Sequence, residues 1–406
     1  MMFATNLGDV SRFIRGITFK PDDICENFAK DSVVCMRTKN VQAELDLDDL
    51  ISVPEAFARR DEQMLDQGDL LISSANSWNL VGKASWVPDL DFPATAGGFI
   101  SILRCDRSKV DPRFFYHWVT AGKTQHELRH CGRQTTNISN LDFGRAEELE
   151  FPVPVKNGKP DLDEQKRIAG ILDKADAIRR KRQQARRLTD DFLRSVFLDL
   201  FGDPVTNPKG WDVHDLNSVI GKSFRNGLSP SSKGTVAGKV LTLTAITTGA
   251  FSPEHAREAF FDRKPSVNQL VTVDTFLICR GNGNKNMVGI GVFPGADMAQ
   301  VAFPDTMIAC TIDRSIIEAD YLQALWSTTH VRKQIEAGAR TTNGTYKVNQ
   351  TVLGGISFPL PPLSLQTKFS RIAKSIRSRS LKADLAKGSS DELFASLQQR
   401  AFIGEL

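Results

Sequence analysis

Three stretches of this chain carry residue types that could do chemistry. CRGNGNKNMVGI, Cys279 to Ile290, is rich in Gly and Asn. A dinucleotide loop needs Gly-x-Gly-x-x-Gly opening a helix, so that helix N–H groups meet a pyrophosphate. Here the next segment, MVGIGVF, reads as a strand, and the matching place in the first half, SSANSWNLVGKASW, lacks both first glycines. A tight turn or hairpin loop fits better. His126 and His130 are four apart with Cys131 beside them. On a helix that spacing could begin a zinc site. No fourth ligand is visible, and the second half has Arg332 and Glu336 in the matching places. PDLDEQK, from Pro160, carries Asp161, Asp163 and Glu164. A metal-dependent nuclease needs acids converging on a metal and a scissile phosphate. These three sit together at a helix start, where the helix dipole explains them better. No GxxxxGK[ST] loop and no strong Ser/His/Asp or Cys/His signature emerges.

The elements that would position any site come in two sets. The chain has 406 residues, enough for two or more domains. TTN occurs at Thr135–Asn137 and again at Thr341–Asn343. Other landmarks repeat in the same order: LLIS at Leu70 with FLIC at Phe276, Val81-Gly82 with Val288-Gly289, Asp106-Arg107 with Asp313-Arg314, and FPVP at Phe151 with FPLP at Phe358. The offset wanders by a residue or two around 206, which marks an internal duplication. Each globular half reads as mixed α/β, with short strands and one helix, around Pro112–Leu128 and Ala319–Ile335. KPDDICENFAKDSVVCMRTKNVQAELDLDDL has no clean partner in the second half. A shared scaffold with divergent loops points to two related tasks on two targets.

Each half ends in a helical stretch. From Ile171 to Phe201 there is neither Pro nor Gly, and Ile168, Ile171, Ala175, Ile178, Ala185, Phe192 and Val196 recur at helical steps. The second stretch uses Phe369, Ile372, Ile376 and Ala383, then Leu393 and Leu397 after an expected break at Gly388. DDFLRSVFLDLFGD parallels DELFASLQQRAFIGEL. Pairing the two apolar stripes predicts antiparallel helices. The expected boundaries are 1–155, 156–201, 202–362 and 363–406.

Charge distribution points to a polyanion. The net charge is only +4, but both helical stretches are basic in the middle, through Arg179, Arg182 and Arg186 in the first and Arg377 and Arg379 in the second. The loops offer DNA-reading donors: Asn76, Asn79, Lys83, Arg133, Gln134, Thr135, Thr136 and Asn137 in the first half. The second half offers Arg280, Asn282, Asn284, Lys285, Asn286, Arg340, Thr341, Thr342, Asn343 and Lys347. Arg reads guanine, Asn and Gln read adenine, and Thr bonds phosphate or a base. The six cysteines form no CxxC pair and read as reduced thiols of a cytoplasmic protein. No apolar run is long enough for a membrane span, and MMFATNLGDV does not read as a signal peptide.

The ordered set of FPVP…DEQKRIAGILD, FPLPPLSLQTKFSRIA, FLRSVFLDLFGDPVTNPKGW and LFASLQQRAFIGEL resembles the specificity subunit of type I restriction–modification enzymes. The resemblance covers nearly the whole chain. It implies two target recognition domains, each reading one half of a split sequence in double-stranded DNA, separated by two long antiparallel, coiled-coil-like helices. It also implies docking of modification subunits that hold S-adenosylmethionine and methylate adenine, and of restriction subunits that use ATP and Mg. No cofactor and no catalytic site is expected on this chain. A protein-interaction scaffold unrelated to DNA is the alternative that the helices alone would allow.

Overall fold

A computed structural model describes residues 2–134, 138–342, 344–385 and 390–406. The chain forms two compact units: Met1–Gln183 with Ala386–Leu406, and Gln184–Leu385. Among the described residues, seven helices have eight residues or more. They are α1 (Pro112–Val119), α2 (Gly122–His130), α3 (Leu162–Phe201), α4 (Ala319–Trp326), α5 (Thr329–Gly338), α6 (Leu363–Leu385) and α7 (Ser390–Ile403). None is long and apolar enough to cross a membrane.

Unit 1 is built on an antiparallel four-stranded sheet in the order Ser11–Arg15, Ile100–Cys105, Leu70–Ser73, Ala84–Trp86. Alternate residues of a strand face opposite sides of its sheet, and both sides of this one are covered. Leu70 and Ile72 join Phe114, Phe115 and Trp118 of α1, Phe151, and Ile168 and Leu172 of α3. Leu71 joins Val34, Met36 and Ala96 on the other side. Each such side chain removed from water contributes roughly 1.5–3 kcal/mol. Helix α7 completes the first side with Phe394 and Ala401. It runs antiparallel to the first part of α3: Arg167 donates to the Leu406 carbonyl, while Gln183 reaches Asp391.

Unit 2 repeats this plan. Its antiparallel sheet has the order Ile220–Asn226, Met307–Ile312, Thr275–Cys279, Gly291–Val292. Register is kept as well: Leu71 opposite Ile102 corresponds to Leu277 opposite Ala309. Phe276 and Ile278 face Tyr321 of α4, Phe369 of α6, and Phe197 and Phe201 at the end of α3. Leu277 and Cys279 face the opposite side. Gly82 and Gly289 are a matched pair with φ of +82° and +76°. A Cβ on Gly82 would lie 2.9 Å from Leu128 Cβ, and one on Gly289 would lie 2.5 Å from Ile335 Cγ2. The repeated Val-Gly is therefore what lets α2 and α5 lie against their turns.

The stretch that shows no repeat in sequence repeats in structure. Ser32–Met36 pairs antiparallel with Ser52–Pro54 and parallel with Ala94–Ala96. Val236–Leu241 pairs antiparallel with Ala256–Phe261 and parallel with Met298–Ala302. Two sequence expectations need correction. The single helix expected in each half is a pair, α1 with α2 and α4 with α5. Thr120 ends α1, and the Thr328 hydroxyl accepts from Val331 N–H to start α5. The apolar seam of α3 is not buried along its length. Ile168, Ala169 and Leu172 are buried in unit 1 and Phe197 and Phe201 in unit 2, whereas Ile178 and Phe192 are more than half exposed. The helix is buried where it meets a domain, not along one continuous stripe.

Two side-chain arrangements fix α1 and α4 on the long helices. Gln165 and Gln366 are fully buried. Gln165 accepts from Asp111 N–H at 2.8 Å and donates to the Lys109 carbonyl at 3.1 Å. Gln366 accepts from Glu318 N–H at 2.9 Å and donates to the Pro361 carbonyl at 2.8 Å. One helical turn or two further along, charges meet. Arg113 of α1 bonds Asp173 of α3, and His117 Nε2 lies 2.8 Å from the same carboxylate. Burial pushes the Asp173 carboxyl up, but the bonds from His117 and Arg113 and the Arg113 charge outweigh it and hold it at about 2. A carboxylate depressed in the folded state stabilises above its unfolded value of about 3.9 and loses that contribution as pH falls through the folded value. The Asp173 signal in a carboxyl-resolved NMR titration should therefore stay ionised at pH 3 and protonate near 2. Titration near 4 would show that the Arg113 pair does not form.

Candidate nucleic-acid interface

In each unit a small three-stranded sheet joins the two loops that the sequence singles out. In unit 1 its order is Gly132–Gln134, Ser139–Leu141, Ala75–Asn76. In unit 2 it is Arg340–Thr342, Thr345–Lys347, Gly281–Asn282. The loops are far apart in sequence, so only the fold brings Asn76 beside Ser139, with the Arg133 strand on the far side of it, and Asn282 beside Tyr346, with the Arg340 strand on the far side of it.

The donors differ in how far they are engaged. Asn76 donates to Ser73 Oγ at 3.1 Å and accepts from Ser77 N–H, so it shapes its own turn. Lys83 donates to Gln42 Oε1 at 2.6 Å. Asn79 is exposed. Arg133 is largely exposed and pairs with Asp142 at 2.6 Å. The Arg145 N–H first, and then Arg133, hold the Asp142 carboxyl below its ordinary range. Gln134 lies on the strand, but its side chain, with Thr135, Thr136 and Asn137, falls outside the described residues.

In unit 2, GNGNKN is a run of Asn-stabilised turns. Asn282 accepts from Asn284 N–H at 2.9 Å, and Asn284 from Asn286 N–H at 3.0 Å. A single 3-10 turn, Lys285–Met287 capped by Asn284, and then the strand Gly291–Val292 follow, in place of the α-helix that a dinucleotide loop would open. Arg332 of α5 donates to the Val288 carbonyl and braces this loop from behind. Lys285 is half exposed, 3.6 Å from Glu336. Arg280 donates to the Asp305 carbonyl. Arg340 and Lys347 are both exposed and directly opposite each other across the antiparallel pair. Like charges in that position are destabilising unless an anion sits between them. Thr341 is exposed on the same strand, while the Thr342 side chain and Asn343 fall outside the described residues.

The helical cations divide the same way. Arg179 bonds Asp176 at 2.6 Å and covers the Phe394 ring at 4.9 Å. Arg377 bonds Asp320. Arg186 is exposed and Arg182 half-buried. The Arg379 side chain and the expected break at Gly388 lie outside the described residues. Sequence reading missed Gln42 and Glu44, which hold Lys83 and Arg180. It also missed the Gln165 and Gln366 clamps, although DEQ and SLQ at matched helix starts carried that signal.

Among the described residues no group of three His, Cys, Asp or Glu side chains is placed to hold a metal. His130 Nδ1 lies 2.8 Å from the His126 carbonyl. Burial pushes the thiols of Cys35, Cys105 and Cys310 up to about 12, so they stay neutral and unreactive.

The chain is therefore a duplicated domain in which each copy displays polar, cation-bearing loops from a small sheet and is clamped to a long helix. The family model described as the type I restriction modification DNA specificity domain matches residues 4–187. The chain is 23% identical to the StySPI specificity subunit of Salmonella potsdam, over 89% of this chain and 79% of that one. It is 22% identical to the EcoKI specificity subunit of Escherichia coli, over 98% and 87%. A crystal structure of the type I system S subunit from M. genitalium shares the fold, with a TM-score of 0.58, 13% identity, and 99% and 96% of the two chains covered. Residues 4–187 thus match a type I restriction modification DNA specificity domain, and over most of its length the chain is similar to specificity subunits of type I restriction enzymes.

Proposed function

We propose that this chain reads a split, asymmetric DNA sequence, one half with the loops of each unit, and positions adenine methyltransferase and restriction subunits on that DNA. The observation that carries this reading is the small sheet of each unit, which gathers two distant donor-rich loops into one three-stranded sheet. In unit 2 it sets Arg340 against Lys347, an arrangement that phosphate would neutralise. The frames match while the segments beside them diverge, so the half-sites are unequal. Two readers on one chain multiply specificity, because the second binds at high effective concentration once the first is docked. S-adenosylmethionine, ATP and Mg belong to the partner subunits in this reading. Leu188 and Phe192, exposed on one helix, suit a helical partner.

The deciding experiment is base-resolved adenine methylation in cells with and without this gene, with the modification subunit expressed in both. Loss of methylation at one split motif is expected, and an unchanged methylome would overturn the reading. Arg340→Ala with Lys347→Ala should weaken DNA binding. It should also lower the slope of log affinity against log salt by up to about 0.9 for each phosphate that these side chains neutralise. An unchanged slope would remove the two side chains from the interface.

A further inference from the structure

The two units are copies, yet one contact between the first helix of each recognition domain (α1 or α4, the recognition helix) and the long helix that follows it (α3 or α6, the spacer helix) has its charges reversed. The matched glutamines and the matched sheets set the equivalence. Gln165 of α3 corresponds to Gln366 of α6, which pairs Asp173 with Lys374 and Asp176 with Arg377. Phe114 of α1 corresponds to Tyr321 of α4, which pairs Arg113 with Asp320. In unit 1 the cation is on α1 and the acid it meets is on α3: Arg113 bonds Asp173. In unit 2 the acid is on the recognition helix and the cations are on the spacer helix. Asp320 accepts from Ser370 at 2.5 Å and from Arg377, with Lys374 at 3.8 Å. Asp320 is 7% exposed.

We infer that this reversal is a positional key, which holds each recognition domain to its own spacer helix and bars the two domains from trading places along the chain. Much of the remaining junction is shared, since both copies present the same glutamine clamp and the same strand frame. Charge is not. The first domain placed before α6 would set Arg113 against Lys374 and Arg377. The second placed before α3 would set Asp320, nearly buried, against Asp173, since Asp176 is held by Arg179 and Arg180. A buried charge stripped of its partner and facing its own sign is strongly disfavoured. Discrimination between near-identical partners is most readily built from such repulsion. The order of the two readers, and so the polarity of the sequence they read, is then written into the junctions. This inference concerns assembly and stands apart from whether the loops read DNA.

The test begins in the intact chain. Asp173→Lys gives α3 the charge that α6 carries. It should lower the melting temperature by about 5 °C or more, and adding Arg113→Asp should recover at least half of that loss. A merely structural pair would be weakened by either change, but only a charge key is rescued by inverting both. No recovery in the double variant overturns the proposal. The second arm exchanges residues 4–154 with 213–361 in the full-length chain. With native charges the exchanged chain should melt well below the parent, and carrying Arg113→Asp and Asp320→Arg it should regain stability. An exchanged chain as stable as the parent with its native charges would also overturn the proposal. If neither exchanged chain folds, the rescue in the intact chain decides.

Discussion

Phe369→Ala should destabilise unit 2 by about 3–5 kcal/mol, the usual cost of emptying a large aromatic site in a packed core. Phe369 is 1% exposed. Its ring lies 5.8 Å from Phe197 and 5.6 Å from Phe201. Those two rings contact Tyr321 of the recognition helix in turn. The side chain thus fills the point where α6, the end of α3 and α4 converge. Hydrogen exchange resolved by peptide gives the reading. Peptides covering Thr275–Cys279 should lose protection while those covering Leu70–Ser73 keep it, because the two strands belong to separate cores. Equal loss in both would mean that the cores do not melt independently.

Gln366→Leu should cost about 2–4 kcal/mol, although it replaces a polar side chain with an apolar one of similar size. The loss comes from what is left behind. The Glu318 N–H and the Pro361 carbonyl would remain in a dry junction without their partner, at about 1–3 kcal/mol for each unsatisfied group. Gln165→Leu should act alike in unit 1, stranding the Asp111 N–H and the Lys109 carbonyl. Because each glutamine holds the first turn of a recognition helix, exchange should rise first at the N-terminal ends of α4 and α1. Denaturant melts that superimpose on the parent would show that water replaces the clamp without loss.

The duplication was legible because strands buried on both faces keep their letters. LLIS and FLIC retain apolar side chains at their first three positions, all of which face a core, and their register follows. The second sheet of each unit was not legible. Ser32–Met36 and Val236–Leu241 share partners and directions, but their letters diverge, and backbone pairing leaves little trace in residue type. The helix breaks at Thr120 and Thr328 were missed because no Pro marks them. The loop donors were found as residue types, and their gathering onto one small sheet was not, since it depends on pairing between segments far apart along the chain. The charged contacts of α3 looked like an ordinary basic face. Arg179 and Arg180 turn inward to Asp176, which no periodicity distinguishes from cations turned outward.

The division of the chain at Gln183 also sets an order of synthesis. All of unit 2 lies within Gln184–Leu385, one uninterrupted stretch. Unit 1 draws Phe394 and Ala401 into its core from beyond that stretch. Domains ordinarily fold in the order in which they leave the ribosome. Here the later one is complete first, and the earlier one waits, with an open flank beside Phe114 and His117, until α7 has been made.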